Sequence, residues 1–228
     1  GVRVVAPDRP SYGRSSPQRG RSLADWPADV AALADALGIE RFLVAGHSSG
    51  GPYAVACAAE LRERVVGGVV LAGVTDMGWP GAWDGYLEEE ARLMRLADED
   101  AVVAACVERF GADGSGFFEQ PFEFPECDHP LLADPSLQQA LAEALRQGPA
   151  GYAQDVSVQG RPWPFDPRRI SAPIEVVHGE LDHVVPLAHS RHTADLVPTA
   201  TLRVLPGHGH LTVVAQLPAL ASALARGR

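Results

Sequence analysis

Lysine is absent from this chain, and so is asparagine, while alanine is used heavily. That bias points to a GC-rich bacterial coding sequence and says nothing about mechanism. Long apolar runs are missing as well. No window holds eighteen apolar residues, so no membrane-spanning helix is expected. Nor is there a positive surplus: 19 arginines face 29 carboxylates, for a formal charge of −10. This argues against nucleic acid or an anionic membrane as partner. Cysteine is sparse. Cys57, Cys106 and Cys127 are far apart, odd in number and outside any C-x-x-C pair. They are expected to be free packing thiols in a reducing compartment. The opening residues, Gly1 to Asp8, are too short and wrongly flanked for a signal peptide. A cytoplasmic location follows as the expectation. There is no H-E-x-x-H pair, no phosphate-binding glycine loop, no internal repeat and no low-complexity tract. Neither a metal nor a cofactor is predicted.

What is present suits one soluble domain: 228 residues, 46% of them apolar, enough to bury a sizeable core. Short β-branched runs at Val2–Ala6, Arg41–Ala45, Val65–Gly73, Ile174–His178 and Thr201–Leu205 read as strands. Helical patterns separate them: Val30 to Leu37 stopped by Gly38, Pro52 to Leu61, Leu187 to Leu196 and Leu211 to Leu224. Such alternation predicts an α/β fold, a doubly wound, mostly parallel sheet. After Asp76 the pattern changes to helical segments at Leu87–Leu96, Glu99–Phe110 and from Asp134-Pro135 to Gln147. The expected organisation is a core of residues 1–77 and 160–228 interrupted by a helical cap at 78–159.

In parallel sheets, sites form at the carboxyl ends of strands. Three reactive residues fall there. Ser48 lies in Gly46-His47-Ser48-Ser49-Gly50, between a strand and a helix, where Gly46 and Gly50 are expected to permit a sharp turn. The Ser49 N–H is then one oxyanion donor. A hydroxyl needs a base to become a nucleophile, and His210 follows the last strand in Pro206-Gly207-His208-Gly209-His210, with His208 as its rival. Asp182 follows the strand before that and could orient the base; Glu180 and Asp76 compete for this role. His183, His189, His192 and Asp195 could pass for a metal cluster but are read as helix-surface groups. His47, Trp79 and Trp83 are candidate substrate contacts. Phe117, Phe118, Phe122, Phe124 and Trp163 are either further pocket walls or core. Thirteen carboxylates face three arginines between Asp84 and Asp128; they are read chiefly as a solvated helix face, the alternative being an acidic rim that would disfavour anionic substrates.

With those residues placed, the chain resembles the α/β-hydrolase superfamily, in its capped serine-esterase and haloperoxidase-like branch, over nearly its whole length. Gly46-His47-Ser48-Ser49-Gly50-Gly51 matches the nucleophile elbow. His178-Gly179-Glu180-Leu181-Asp182-His183-Val184-Val185-Pro186 matches the acid loop H-G-x-x-D-x-x-V-P. Pro206-Gly207-His208-Gly209-His210 matches P-G-x-G-H, and Asp8 to Ser15 matches D-x-x-G-x-G-x-S with Ser11 in place of the first glycine. The resemblance implies a serine hydrolase with catalytic Ser48, Asp182 and His210, acting on a small-molecule substrate without a cofactor. A serine at the elbow separates the chain from relatives of this fold that use aspartate there, the haloalkane dehalogenases and epoxide hydrolases. Esters, lactones, thioesters, amides and C–C bonds, or perhydrolysis, all remain. A receptor that binds a small molecule on the same fold is the alternative from another class. The family carries about fifty residues before the point matching Gly1, including further strands and a loop with a second oxyanion donor. The resemblance therefore implies that N-terminal strands are missing here, supplied by more of the same chain or by a separate polypeptide.

Overall fold

The computed structural model describes residues 2–96, 98–119 and 123–227, the side chains of 118 and 119 excepted. Its elements run α1 (Trp26–Ala36), β1 (Phe42–His47), α2 (Gly51–Glu60), β2 (Val65–Leu71), α3 (Glu88–Met94), α4 (Glu99–Phe110), α5 (His129–Leu132), α6 (Pro135–Ala144), α7 (Ala150–Gln159), β3 (Ile174–Gly179), α8 (Leu187–Leu196), β4 (Ala200–Leu205) and α9 (Leu217–Arg226). Among the described residues the sheet has four strands, all parallel, in the order β1-β2-β3-β4.

The central strands alternate between two cores because successive side chains point to opposite faces. Val65 and Val70 of β2, with Ile174 and Val176 of β3, join α2, Leu23 and Trp163 on one face. Val69, Leu71 and Val177 pack on the other face against Val213 and, from α9, Leu217, Leu220 and Leu224. The helix α2 is buried from Gly51 through Ala59. Its small residues, Ala54, Ala56, Ala58 and Ala59, let it lie close to the sheet. A third core gathers Val74, Leu93, Val102, Phe110 and Val156 from the helical stretch after β2. No helix among the described residues is long and apolar enough to cross a membrane.

Several expectations change. Val2–Ala6 forms no strand. It is open to solvent, with Val4 79% exposed, because no described strand offers it a ladder. The closing helix is divided: a 3₁₀ turn at Thr212–Gln216 precedes α9. Asp134 caps α6 through its side chain on the Ser136 N–H, 2.8 Å away, as its place before Pro135 suggests. The helix α7 lacks so plain a start signal, yet it is the most buried of the helices between β2 and β3. Its polar residues Gln154, Asp155, Ser157 and Gln159 disguise this in the sequence, and all are buried.

One buried node joins α7 to α2 and to the chain at residues 9–21. The Asp155 carboxylate accepts from Arg9 Nε and Nη2 at 3.0 and 2.5 Å, from Arg21 at 2.5 Å, from Tyr12 at 3.0 Å and from Tyr53 at 2.6 Å. Burial opposes ionisation of Asp155, but the Arg9 and Arg21 guanidinium groups hold its carboxyl below the usual range. Tyr53 belongs to α2, so the node ties the loop at residues 9–12, α7 and the helix behind Ser48 into one unit.

Candidate active site

The backbone at Ser48 is left-handed, with φ +53°. A side chain in that region costs roughly 1–3 kcal/mol and needs surrounding structure to hold it. That structure is a turn of 3₁₀ helix at Ser48–Gly50 running into α2, with the Val74 N–H donating to the Ser48 carbonyl at 3.2 Å. The glycines divide their work differently from the sequence expectation. A Cβ on Gly46 would collide with the Gly50 carbonyl, and one on Gly51 would stand 2.9 Å from Gly73 Cα, whereas a Cβ on Gly50 would meet open space. Gly51, not Gly50, is the second glycine that the close approach of α2 requires.

His210 and Asp182 are brought together. His210 Nδ1 lies 2.8 Å from Asp182 Oδ2. Asp182 Oδ1 accepts from the Val184 and Val185 N–H groups at 2.8 and 3.0 Å, and the side chain has no exposed surface. Burial opposes its charge. The His210 hydrogen bond and the Val185 N–H outweigh that and hold its carboxyl below the ordinary range. A carboxylate only accepts, so Nδ1 carries the proton toward it and Nε2 is left as the acceptor of the ring. His178, buried in β3, bonds Ser190 Oγ at 2.8 Å through Nδ1 and places Nε2 3.6 Å from Asp182 Oδ2. Burial lowers the His178 pKa, so that ring stays neutral beside Asp182.

The His210 ring lies against the elbow. Its centroid is 4.6 Å from that of His47, and His47 Nε2 donates to the His210 carbonyl at 2.8 Å. Burial, with His210 adding to it, pushes the His47 pKa down to about 4. His47 therefore acts as a neutral strut between strand β1 and the loop after β4. Ser48 Oγ makes no hydrogen bond among the described residues, so the Ser48–His210 leg is open in this structure.

The rival residues are occupied elsewhere. Asp76 Oδ1 accepts from the Gly78 and Trp163 N–H groups at 2.9 and 3.1 Å. Glu180 is exposed, and His208 Nδ1 bonds the Pro206 carbonyl at 3.0 Å. Trp79 stacks on His192 at 4.5 Å, and Trp83 lies under Arg95 at 4.4 Å; both flank the third core. His189 is no surface group. It is fully buried, with Nε2 donating to the Ala82 carbonyl at 2.7 Å and Nδ1 facing the Thr75 N–H at 3.4 Å. Phe117 packs on Phe110 and Tyr152 inside the third core, and Trp163 packs on Phe165 in the first. Phe124 stands 6.3 Å from the His210 ring, centroid to centroid. Phe122 and the Phe118 side chain lie outside the described residues.

A family model, the alpha/beta hydrolase family, matches residues 1–223. The chain belongs to the alpha/beta hydrolase family. Among curated relatives of this hydrolase, the non-heme haloperoxidase of Rhodococcus erythropolis is 31% identical over 224 residues, covering 93% of this chain and 78% of that one. The 2-hydroxymuconate semialdehyde hydrolase of Pseudomonas putida is 29% identical over 219 residues, covering 93% and 72%. A solved thermophilic esterase from Thermogutta terrifontis superposes with a TM-score of 0.66 at 21% identity, over 95% of this hydrolase and 75% of the esterase. That likeness shows the fold.

Proposed function

We propose that this hydrolase cleaves a carboxylic ester, or a related acyl bond, of a small neutral apolar molecule through an acyl-enzyme on Ser48. The observation that carries the reading is the 2.8 Å bond from His210 Nδ1 to a fully buried Asp182, on a ring that packs against the residue preceding Ser48. His210 Nε2 takes the Ser48 proton as Oγ attacks the carbonyl carbon. Asp182 fixes the tautomer and stabilises the imidazolium. Ser49 N–H, at the start of the turn into α2 and free of an intrahelical acceptor, receives the developing oxyanion. Collapse of the tetrahedral species breaks the ester bond, and His210 returns the proton to the departing alcohol. Water, deprotonated by His210, then attacks the acyl carbon and releases the acid and Ser48. In unliganded enzymes such hydrogen bonds are commonly long and tighten with substrate, which accommodates the open Ser48–His210 leg.

The stretch 78–159 acts as a cap over the core of 1–77 and 160–228, and its carboxylates disfavour anionic substrates. Cleavage of a C–C bond with the same residues is the second reading, favoured by the similarity to the 2-hydroxymuconate semialdehyde hydrolase.

Labelling by a fluorophosphonate probe and turnover of p-nitrophenyl acetate test the proposal. Ser48→Ala should abolish labelling and lower kcat by about a millionfold, the scale of losing a serine nucleophile. Persistent labelling of that variant would refute the assignment. Negligible turnover of p-nitrophenyl esters by the wild-type chain would favour a receptor.

A further inference from the structure

Asp128 lies 82 residues before His210, in the stretch that the sequence presents as an acidic, solvated face. Its side chain is instead fully buried. Oδ2 accepts from the Leu211 N–H at 3.0 Å, and Oδ1 accepts from the Thr212 N–H and the Thr212 hydroxyl, both at 2.9 Å. Thr212 Oγ1 in turn accepts from the Gly209 N–H at 2.8 Å. The backbone donors on both sides of His210 are thus gathered by one carboxylate, directly at Leu211 and through Thr212 at Gly209. A Cβ on Gly209 would collide with Asp128 Oδ2 and with Pro125 Cγ, so glycine is required for the loop to seat on Asp128. Phe124, four residues before Asp128, faces the His210 ring from the same segment.

The geometry points to Asp128 as a positioning residue for His210, a latch from the helical insertion that fixes where the imidazole stands. Its inference rests on the reading of Ser48 and His210 given above. The ring is held at Nδ1 by Asp182 and at its carbonyl by His47. Asp128 supplies the third constraint by setting the path of the backbone that carries the ring. Near-attack geometry tolerates little error; a displacement of about 1 Å can cost on the order of a hundredfold in rate. Loss of the latch should therefore slow chemistry without changing how substrate binds.

The test separates rate from extent in fluorophosphonate labelling of the full chain, alongside kcat and KM on p-nitrophenyl acetate. Asp128→Asn keeps the volume but turns an amide donor toward donors. Thr212→Val removes only the Gly209 arm, and decides the matter where Asp128→Asn does not fold. Expected are labelling to full stoichiometry at a rate lowered about ten- to a hundredfold for Asp128→Asn and several-fold for Thr212→Val, with kcat following and KM within about twofold. Thr212→Ser, which keeps the hydroxyl, should restore the wild-type rate. Wild-type rates in both altered proteins overturn the inference. So does labelling at the wild-type rate but to a reduced extent, the mark of a role in folding alone. Labelling of Ser48→Ala would instead sink the assignment of Ser48 and leave the fate of the latch to KM and kcat.

Discussion

Asp155 and Asp182 are both buried, and their partners make them different devices. Asp155 is surrounded by two guanidinium groups and two phenols. Arginine stays charged across any accessible pH, and burial with the Asp155 charge raises the Tyr12 and Tyr53 pKa values far beyond use. No proton leaves or enters that node near neutrality, so it is a rivet. Asp182 has one imidazole on Oδ2, a neutral one beside it and two backbone donors on Oδ1. Its charge is as well held, but its principal partner is an imidazole, which keeps an acceptor nitrogen where a guanidinium has only donors. A buried carboxylate thus differs from another in the chemistry of its neighbour, not in its own burial.

The sharpest way to break this contrast is to neutralise each aspartate in turn. Asp182→Asn should lower kcat on p-nitrophenyl acetate by about 10⁴-fold, because an amide offers its N–H where the His210 tautomer needs an acceptor. Its urea midpoint should move far less than that of Asp155→Asn. The latter strands one buried cation, Arg21, and one partly buried, Arg9, and should cost on the order of 3 kcal/mol, read from chemical denaturation. Activity of its folded fraction should persist. Equal stability losses in the two variants would erase the distinction.

Acidification probes a third buried group of the same region. His189 uses both ring nitrogens in the neutral form, and burial lowers its pKa to about 4. Its ordinary value is about 6.5, so between those values the unfolded chain binds the extra proton and the folded chain does not. Stability should fall as pH drops from about 6.5 to 4, by on the order of 3 kcal/mol from this residue. Thermal melts across that window check it, and His189→Gln should flatten the slope. The smallest effect concerns the elbow. Ser48→Gly removes the left-handed strain and should stabilise the fold by about 1 kcal/mol while ending turnover; a destabilised variant would show that the hydroxyl, not the turn, was the stabilising element.

Much of the candidate site was proposed from strand ends before the fold. Ser48, Asp182 and His210 each follow a strand, and strand ends can be read from β-branched runs and glycines. Placement after a strand left Asp76, Glu180 and Asp182 as candidates for the acid, and it was the resemblance of the loop His178–Pro186 that singled out Asp182. Only the packed structure gives Asp76 to two backbone donors and leaves Glu180 in solvent. Val2–Ala6 shows the opposite failure: its pattern is that of a strand, but a strand is a relation between two segments, and none of the described ones adjoins it.

The sequence alone determined the local facts: four of the strands and most of the helices, the turn at Gly46–Gly50, and the excess of negative charge. These follow from backbone sterics and side-chain period, which act over a few residues. Tertiary structure decided the long-range ones: Asp128 under the His210 loop, Asp155 among arginines from the other end of the chain, and His189 buried rather than exposed. Hydrogen bonds between residues eighty or more positions apart leave no period in the sequence, because what selects their partners is the closing of the sheet and its covering helices.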